Sequence, residues 1–420
     1  MGFNCGDVIV RCRPLVHTLS ADQKSKRCDH CFKQRDQLQK CSNCKSMYYC
    51  DRRCQRQDWS GGCHRNECPV FSCGGGGGGG DDGVNQWLMD RDCDRFLLRL
   101  YLLTTTSTGC LTDSQKAGGG DDDHQLRRHK LDDDGCGRSS RRSLGDLMTH
   151  YDEVAADTNR MRYFTEMSKR FTASGIDFDG ELLFELFCKV CINSFSILND
   201  ELNPIGSGLY LSGSQFNHSC RPNAATVFNG TELEVRAVRQ ISDTDEILVN
   251  YLDLKMSATE RRRKLREQYY FDCNCCQCLS SLASLTSTSS SPITDPQQQQ
   301  QQQQLIDNAL AIKQLDQEFD RLIDSKNDWQ KCMQIGLETL PLYRQCYGDY
   351  HPDLTVQLVR VLKVMLLVVN NNNTMILDMI KTVRNAIEIT HGLHNNLFNI
   401  FNLTYNPLMA IDEDRVYKRA

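Results

Sequence analysis

Eight residues between positions 28 and 68 are spaced for metal chemistry: Cys28-x2-Cys31-x9-Cys41-x2-Cys44-x5-Cys50-x3-Cys54-x9-His64-x3-Cys68. Zinc takes four nitrogen or sulfur ligands at tetrahedral corners, and a two-residue gap lets one tight turn present both thiolates to one ion. Cys50 with Cys54, and His64 with Cys68, stand at i and i+4, so in a helix each pair shares a face. Eight ligands make two closed sites, and closed four-ligand sites are structural rather than catalytic. The bland alternative, buried cysteines without metal, does not account for so ordered an array. Cys63, directly before His64, is a competing ligand by position.

A second constellation lies downstream. Asn217-His218-Ser219-Cys220-Arg221-Pro222-Asn223 is followed by Asp245-Glu246-Ile247-Leu248-Val249-Asn250-Tyr251, and then by Cys273-x-Cys275-x2-Cys278. Three cysteines leave a zinc one ligand short, and Cys220 can complete the set from a distance. Taken singly, an Asn-His pair is more often a satisfied loop, and a tyrosine after a strand is more often core. Their order and spacing together carry the signal.

The elements that must position these residues are separated by biased stretches. Gly74 to Gly80 is unbroken glycine, residues 104–142 mix Thr, Gly, Asp and Arg, Ser280 to Ser291 is Ser/Thr-rich, and Gln297 to Gln304 is a homopolymer. None buries enough apolar surface to offset the entropy of ordering, so each is expected to be disordered. Asn370 to Asn373 reads as a short loop insertion. Ordered segments are expected at residues 5–72, 84–103, 144–278 and 305–420. In the last, apolar residues recur at helical spacing: Leu310, Leu315, Phe319, Leu322 and Ile323, then Leu354, Leu358, Val361 and Met365, then Ile376, Met379, Ile380 and Val383. This pattern predicts paired antiparallel helices with a common core.

The finger array resembles the MYND finger, and the whole chain resembles the SET-and-MYND family of protein lysine methyltransferases. The match runs through Phe187 to Phe195, Gly206 to Tyr210, the Asn217-His218-Ser219-Cys220 motif, the strand ending at Tyr251 and the post-SET cysteines. It continues more weakly at Tyr347-Gly348-Asp349-Tyr350-His351-Pro352 and Thr390-His391-Gly392. The resemblance implies an α+β fold: a mostly β SET core over residues 1–251, split by the finger at 28–68 and by a low-complexity insertion at 74–142. A post-SET zinc segment at 252–278, a Ser/Gln-rich linker at 280–304 and a helical, tetratricopeptide-like domain at 305–420 would follow.

The resemblance also implies roles. One zinc would be held by Cys28, Cys31, Cys50 and Cys54, a second by Cys41, Cys44, His64 and Cys68, and a third by Cys220, Cys273, Cys275 and Cys278. Cys276 matches no family ligand. Asn193, Asn217, His218, Tyr251 and Phe271 match positions that contact S-adenosylmethionine. Tyr251 matches the active-site tyrosine, and Tyr210 a wall of the lysine channel. The family also carries a strand pair with a Gly-x-Gly turn ahead of the finger, which residues 1–27 do not contain; Gly6 to Val10 resembles the strand just after it. The expectation is either a start lying further upstream or a cofactor site that lacks one part, since a backbone approaching a ligand closely requires glycine.

Bulk properties narrow the remaining choices. The 420-residue chain has a net charge of −5 and 23 cysteines. A dense, odd cysteine set suits metal binding in a reducing compartment, so cytoplasm or nucleus is expected. No signal-like start is evident, and the best apolar run, Val359 to Val369, is broken by Arg360 and Lys363. Direct nucleic-acid binding is not expected from the mild charge. The basic clusters Arg138 to Arg142 and Arg261 to Lys264 read first as solvated faces. The functional expectation is methyl transfer from S-adenosylmethionine to a lysine of a protein substrate, a histone among the candidates, with the finger offering a protein-binding surface. The alternative is a zinc-organised adaptor with an inactive SET domain.

Overall fold

The computed structural model describes residues 2–61, 63–72, 86–112, 142–279, 296–369 and 374–405. Its architecture is α+β, with small sheets wrapped by helices. Strand β1 (Val8–Cys12) pairs antiparallel with β9 (Glu232–Ala237), which pairs with β8 (Ala224–Asn229). A second three-stranded sheet sets β6 (Pro204–Leu209) between β2 (Val16–Leu19) and β5 (Ser194–Leu198). A two-residue strand β7 (Asn217–His218) runs parallel to β10 (Leu248–Val249). The first two strands of the chain are thus separated in sequence by up to about 230 residues from their partners, and the finger occupies the gap.

Within the finger, a β-hairpin of β3 (Gln39–Lys40) and β4 (Tyr48–Tyr49) leads into α1 (Arg52–Ser60) and α2 (Cys63–Ser72). Asp51 caps α1 by accepting the amides of Arg53 and Cys54, as a residue with a short acceptor side chain should. Helix α3 (Asp92–Thr112) then packs on α2 and β2. The start of the residue 104–142 spacer is therefore helical. Its apolar face from Phe96 to Leu103 is buried, and the helix propagates past it while Thr104 and Thr106 bond back to the carbonyls of Leu100 and Leu102. Gln297 to Gln304 likewise differs from expectation, because it lies within α8 (Pro296–Ser325). Glutamine is a fair helix former, and the apolar stripe that follows anchors the helix. Gly74 to Gly80, residues 113–141, Ser280 to Ser291 and Asn370 to Asn373 lie outside the described residues.

Three more helices follow: α6 (Gly180–Asn193) packs on β5 of the second sheet and on α3, and α4 (Tyr151–Ala156) packs on α6 and on α5 (Thr158–Ala173). Helix α7 (Ala258–Tyr269) leads to the last cysteines. The C-terminal unit stacks α8, α9 (Trp329–Tyr347), α10 (Pro352–Val368) and α11 (Thr374–Thr390), each packing on the next. Phe319, Leu354, Leu358, Val361, Met365, Ile376, Ile380 and Val383 are buried as their spacing predicts. Leu310 is not; it is 58% exposed. The buried stripe of α8 runs through Ile312, Leu315, Phe319 and Leu322 at i+3 and i+4 steps, and residue 310 falls off it. Gly336 lets α9 cross closely, since a Cβ there would meet the Phe319 ring at 2.7 Å.

The helical unit is bonded to the first sheet. Arg236 of β9 donates to the carbonyls of Ile389 and Glu388 at the end of α11, and also to Gly6. A cation at a helix C-terminus satisfies carbonyls that lack intrahelical partners and complements the dipole. Gly392, with φ +79°, passes so close to that guanidinium that any Cβ would lie 2.7 Å from it.

Candidate functional site

Each Cys-x2-Cys pair of the finger sits on the same kind of turn. The Phe32 amide donates to the Cys28 carbonyl and the Lys45 amide to the Cys41 carbonyl, with Phe32 and Lys45 both left-handed. The turns converge on two clusters, Cys28/Cys31/Cys50/Cys54 and Cys41/Cys44/His64/Cys68, whose ligand atoms lie within 4.8 Å of one another. Zn–S bonds of about 2.3 Å at tetrahedral corners require thiolates about 3.8 Å apart. Cys31 and Cys50 are 3.6 Å apart, Cys41 and Cys68 3.9 Å, and Cys44 Sγ lies 3.7 Å from His64 Nε2. The donor sets fit zinc. His64 and Cys68 share one face of α2, whereas Cys50 stands in the turn before α1, so only its partner Cys54 is helical. Cys63 joins neither cluster.

A buried charge lattice behind the second cluster ties the finger to α3. Arg95 donates to Glu67 at 2.7 Å and lies 3.3 Å from Asp29; Arg99 bonds Glu67, Asp58 and the His17 carbonyl. All five charged side chains are nearly or fully inaccessible. Tyr49 donates to Asp58 as well. Sequence reasoning did not anticipate Arg95 and Arg99. Their i, i+4 spacing on an apolar helix was the only signal, and their partners lie 28 to 82 residues away.

The third cluster joins Cys220 to Cys273, Cys275 and Cys278. Cys220 stands 3.6 Å from Cys278 and 4.0 Å from Cys273, again the separations of a tetrahedral thiolate site. Cys276 is exposed and outside it. Arg261 was read as part of a solvated basic run, but it is buried, with Nε donating to Cys220 Sγ at 3.2 Å and a terminal nitrogen to the Leu254 carbonyl. Its cation offsets the negative charge that four thiolates and one zinc would leave. Arg263 and Lys264 do face outward, paired with Glu267 and Glu260.

His218 links this cluster to Tyr251. Its Nδ1 accepts the Tyr251 amide at 3.0 Å, so the ring proton sits on Nε2, which faces Cys220 Sγ at 3.3 Å. Tyr251 donates its hydroxyl to the Phe216 carbonyl at 2.6 Å. Its ring lies 4.9 Å from Tyr269, 5.3 Å from His218 and 6.4 Å from Phe271, centroid to centroid. Burial, then the neighbouring Tyr269 and Glu246, pushes the Tyr251 phenol up to about 12. Asn217 pairs with Leu248 of β10 and donates to Glu246 at 2.7 Å. Asn193 stands on another element, at the end of α6, where its amide donates to the Met148 and Lys189 carbonyls. Tyr210 does not join the Tyr251 rings. It is fully buried between Phe195 and Phe228, its ring folds over Gly208, and its hydroxyl donates to the Thr231 carbonyl. It is a core residue of the sheets and no channel wall, because its glycine neighbour leaves the space that its ring fills.

Comparison with known proteins agrees with this geometry. The MYND finger profile matches residues 28–68. The chain is 32% identical over 278 residues to "Histone-lysine N-methyltransferase SMYD3" of Mus musculus, covering 64% of this chain and 55% of the relative. It is 31% identical over 278 residues to "N-lysine methyltransferase SMYD2-A" of Danio rerio, with 65% and 55% covered. To "N-lysine methyltransferase SMYD2" of Homo sapiens it is 27% identical over 273 residues, with the same 65% and 55%. The chain spans about half the length of the curated relatives it matches. The chain thus carries a MYND finger, and over about half of their length it is similar to these lysine methyltransferases.

Proposed function

We propose that the chain is a protein-lysine N-methyltransferase that uses S-adenosylmethionine, with Tyr251 orienting the lysine amine. One observation carries the reading: a half-buried tyrosine whose hydroxyl and amide are both fixed, set among aromatic rings and tied to a cysteine cluster. S-adenosylmethionine supplies, when bound, a methyl group on a cationic sulfonium. Asn193, Asn217, His218, Tyr251 and Phe271 are the residues that would hold it, and the faces of Tyr251, Tyr269 and Phe271 suit a cation.

The lysine must react as a neutral amine. With a reference pKa of about 10.4, deprotonation at pH 7 costs roughly 4 to 5 kcal/mol. Apolar, aromatic surroundings lower that cost by disfavouring the ammonium. Tyr251 stays protonated at neutral pH and donates its hydroxyl hydrogen bond to the Phe216 carbonyl. Its oxygen lone pairs are thus left to accept an amine N–H and aim the nitrogen lone pair, so the phenol orients and does not act as a base. The protein surface of the finger would recruit a partner or substrate, and the cysteine content supports cytoplasm or nucleus as the location.

The test uses the zinc-loaded chain, calorimetry with S-adenosylmethionine and labelling of purified core histones, chosen because one relative is named a histone-lysine methyltransferase. Binding with labelling is expected, and Tyr251→Phe should lower labelling by about 100-fold, the scale of losses from misorientation, while cofactor affinity is retained. A folded chain that binds no S-adenosylmethionine defeats the proposal. The adaptor reading predicts instead protein capture that needs Cys41 or Cys44 and is indifferent to Tyr251→Phe.

A further inference from the structure

Tyr251 lies on a seam. Its ring packs against both the sheet core around Phe216 and Val249 and the continuous core that joins Cys220, Leu252 and Cys273 to the helical unit. The sheet side fixes the residue itself, through His218 and the Phe216 carbonyl. The residues flanking it are held from the other side. His351, the cap of α10, is buried. Its Nδ1 takes the Asp353 amide at 3.3 Å beside the Asp353 carboxylate at 3.1 Å, and its Nε2 lies 3.2 Å from Asn250 Oδ1. That oxygen only accepts, so Nε2 donates to it; the Asn250 amide passes the chain of bonds on to the Leu252 carbonyl. Tyr347, the last residue of α9, donates to Asp253 at 2.6 Å, and its ring lies tilted by 31° against the His351 ring at 4.6 Å between centroids. Two residues further on, Lys255 bonds Asp316 and Tyr343 of the same unit.

We infer that the corner between α9 and α10 is a positioning device for Tyr251: His351 and Tyr347 clamp Asn250 and Asp253, the backbone on either side of the phenol, to the helical unit. The inference rests on the proposed role of Tyr251 and deepens it. A short loop after a two-residue strand has few bonds of its own to hold a phenol in place. Here partly buried, directional hydrogen bonds from a packed helical corner supply a further constraint. His351 and Tyr347 touch no reacting atom in this scheme. They act through the backbone, and a displacement of about 1 Å at a reacting group is enough to cost on the order of 100-fold.

Two substitutions isolate the clamp in the full chain loaded with zinc. Tyr347→Phe removes only the hydroxyl that holds Asp253. His351→Asn keeps a good helix cap but is too short to reach Asn250. Histone labelling, calorimetry with S-adenosylmethionine, thermal melting, and 19F resonances of fluorotyrosine-labelled protein are measured together, with Tyr251→Phe identifying the Tyr251 signal. Expected are a fall in kcat of about tenfold or more, cofactor affinity changed by less than about twofold, and a Tyr251 resonance that shifts or broadens while the melting transition stays cooperative. Unchanged kcat with an unmoved Tyr251 resonance in both variants overturns the inference, as does a loss of labelling that only follows the loss of folded protein. If the unsubstituted chain neither binds S-adenosylmethionine nor labels histones, the methyltransferase reading fails by itself. The resonance then decides the clamp alone: a shift in both variants upholds it and an unmoved signal overturns it.

Discussion

His391 shows how a single buried side chain sets a pH limit. It follows the end of α11, is almost inaccessible, and bonds the Thr390 hydroxyl through Nδ1 at 2.8 Å. Burial, then the charges of Arg236 and His351, lowers its pKa to about 3 from the usual 6.5. The unfolded chain therefore takes up a proton below about pH 6.5 that the folded chain refuses until about pH 3. Stability is full above pH 6.5 and is lost progressively as pH falls, by up to about 1.4 kcal/mol per pH unit for one such group. Urea unfolding of the parent chain at pH 7, 5.5 and 4.5 should show this loss. His391→Gln should lose less over the same interval, and the difference between the two proteins separates His391 from the acid sensitivity of the cysteine clusters.

Elements meet in this protein through buried polar contacts as well as through apolar faces. Helix α3 inserts Arg95 and Arg99 against the finger, whose Asp29, Asp58 and Glu67 have no access to water. Such a lattice is costly to desolvate and costlier to break, because removing one partner strands its counter-charges. Arg99→Met should destabilise the chain by about 3 to 5 kcal/mol, read from the denaturant midpoint. The finger's own zinc should become easier to strip with a chelator, since Glu67 and Asp58 lose their common anchor. Arg263→Met, which breaks only an exposed pair with Glu267, should cost less than about 1 kcal/mol by the same measurement.

At the scale of the whole molecule, the third cysteine cluster and the helical unit flank Tyr251, while the two finger clusters belong to a separate core. No described helix is long and apolar enough to cross a membrane. Metal analysis of the purified chain should return three zinc ions. Cys278→Ser should lower the count to two and weaken S-adenosylmethionine binding, because Cys220 would lose its shared ion and His218 the partner that orients it toward the Tyr251 amide. A count of two in the parent chain would exclude the third site. The finger ligands, the post-SET cysteines and the stripes of the last helices were legible in the sequence because each is written in local spacing: two residues for a metal turn, three or four for a helix face. Leu310 and Gln297 to Gln304 mark the limit of such reading, since a stripe's phase and a helix's start depend on what packs beside it. The order of the chain alone determined the zinc chemistry and the residues able to provide it. Only the tertiary structure decided that Tyr210 is core, that Arg95, Arg99 and Arg261 are buried, and that His351 and Tyr347 reach the strand end at Tyr251. Those outcomes turn on contacts between residues up to about 100 positions apart, whose free energies are set by the docking of whole elements and leave no periodic trace in either partner.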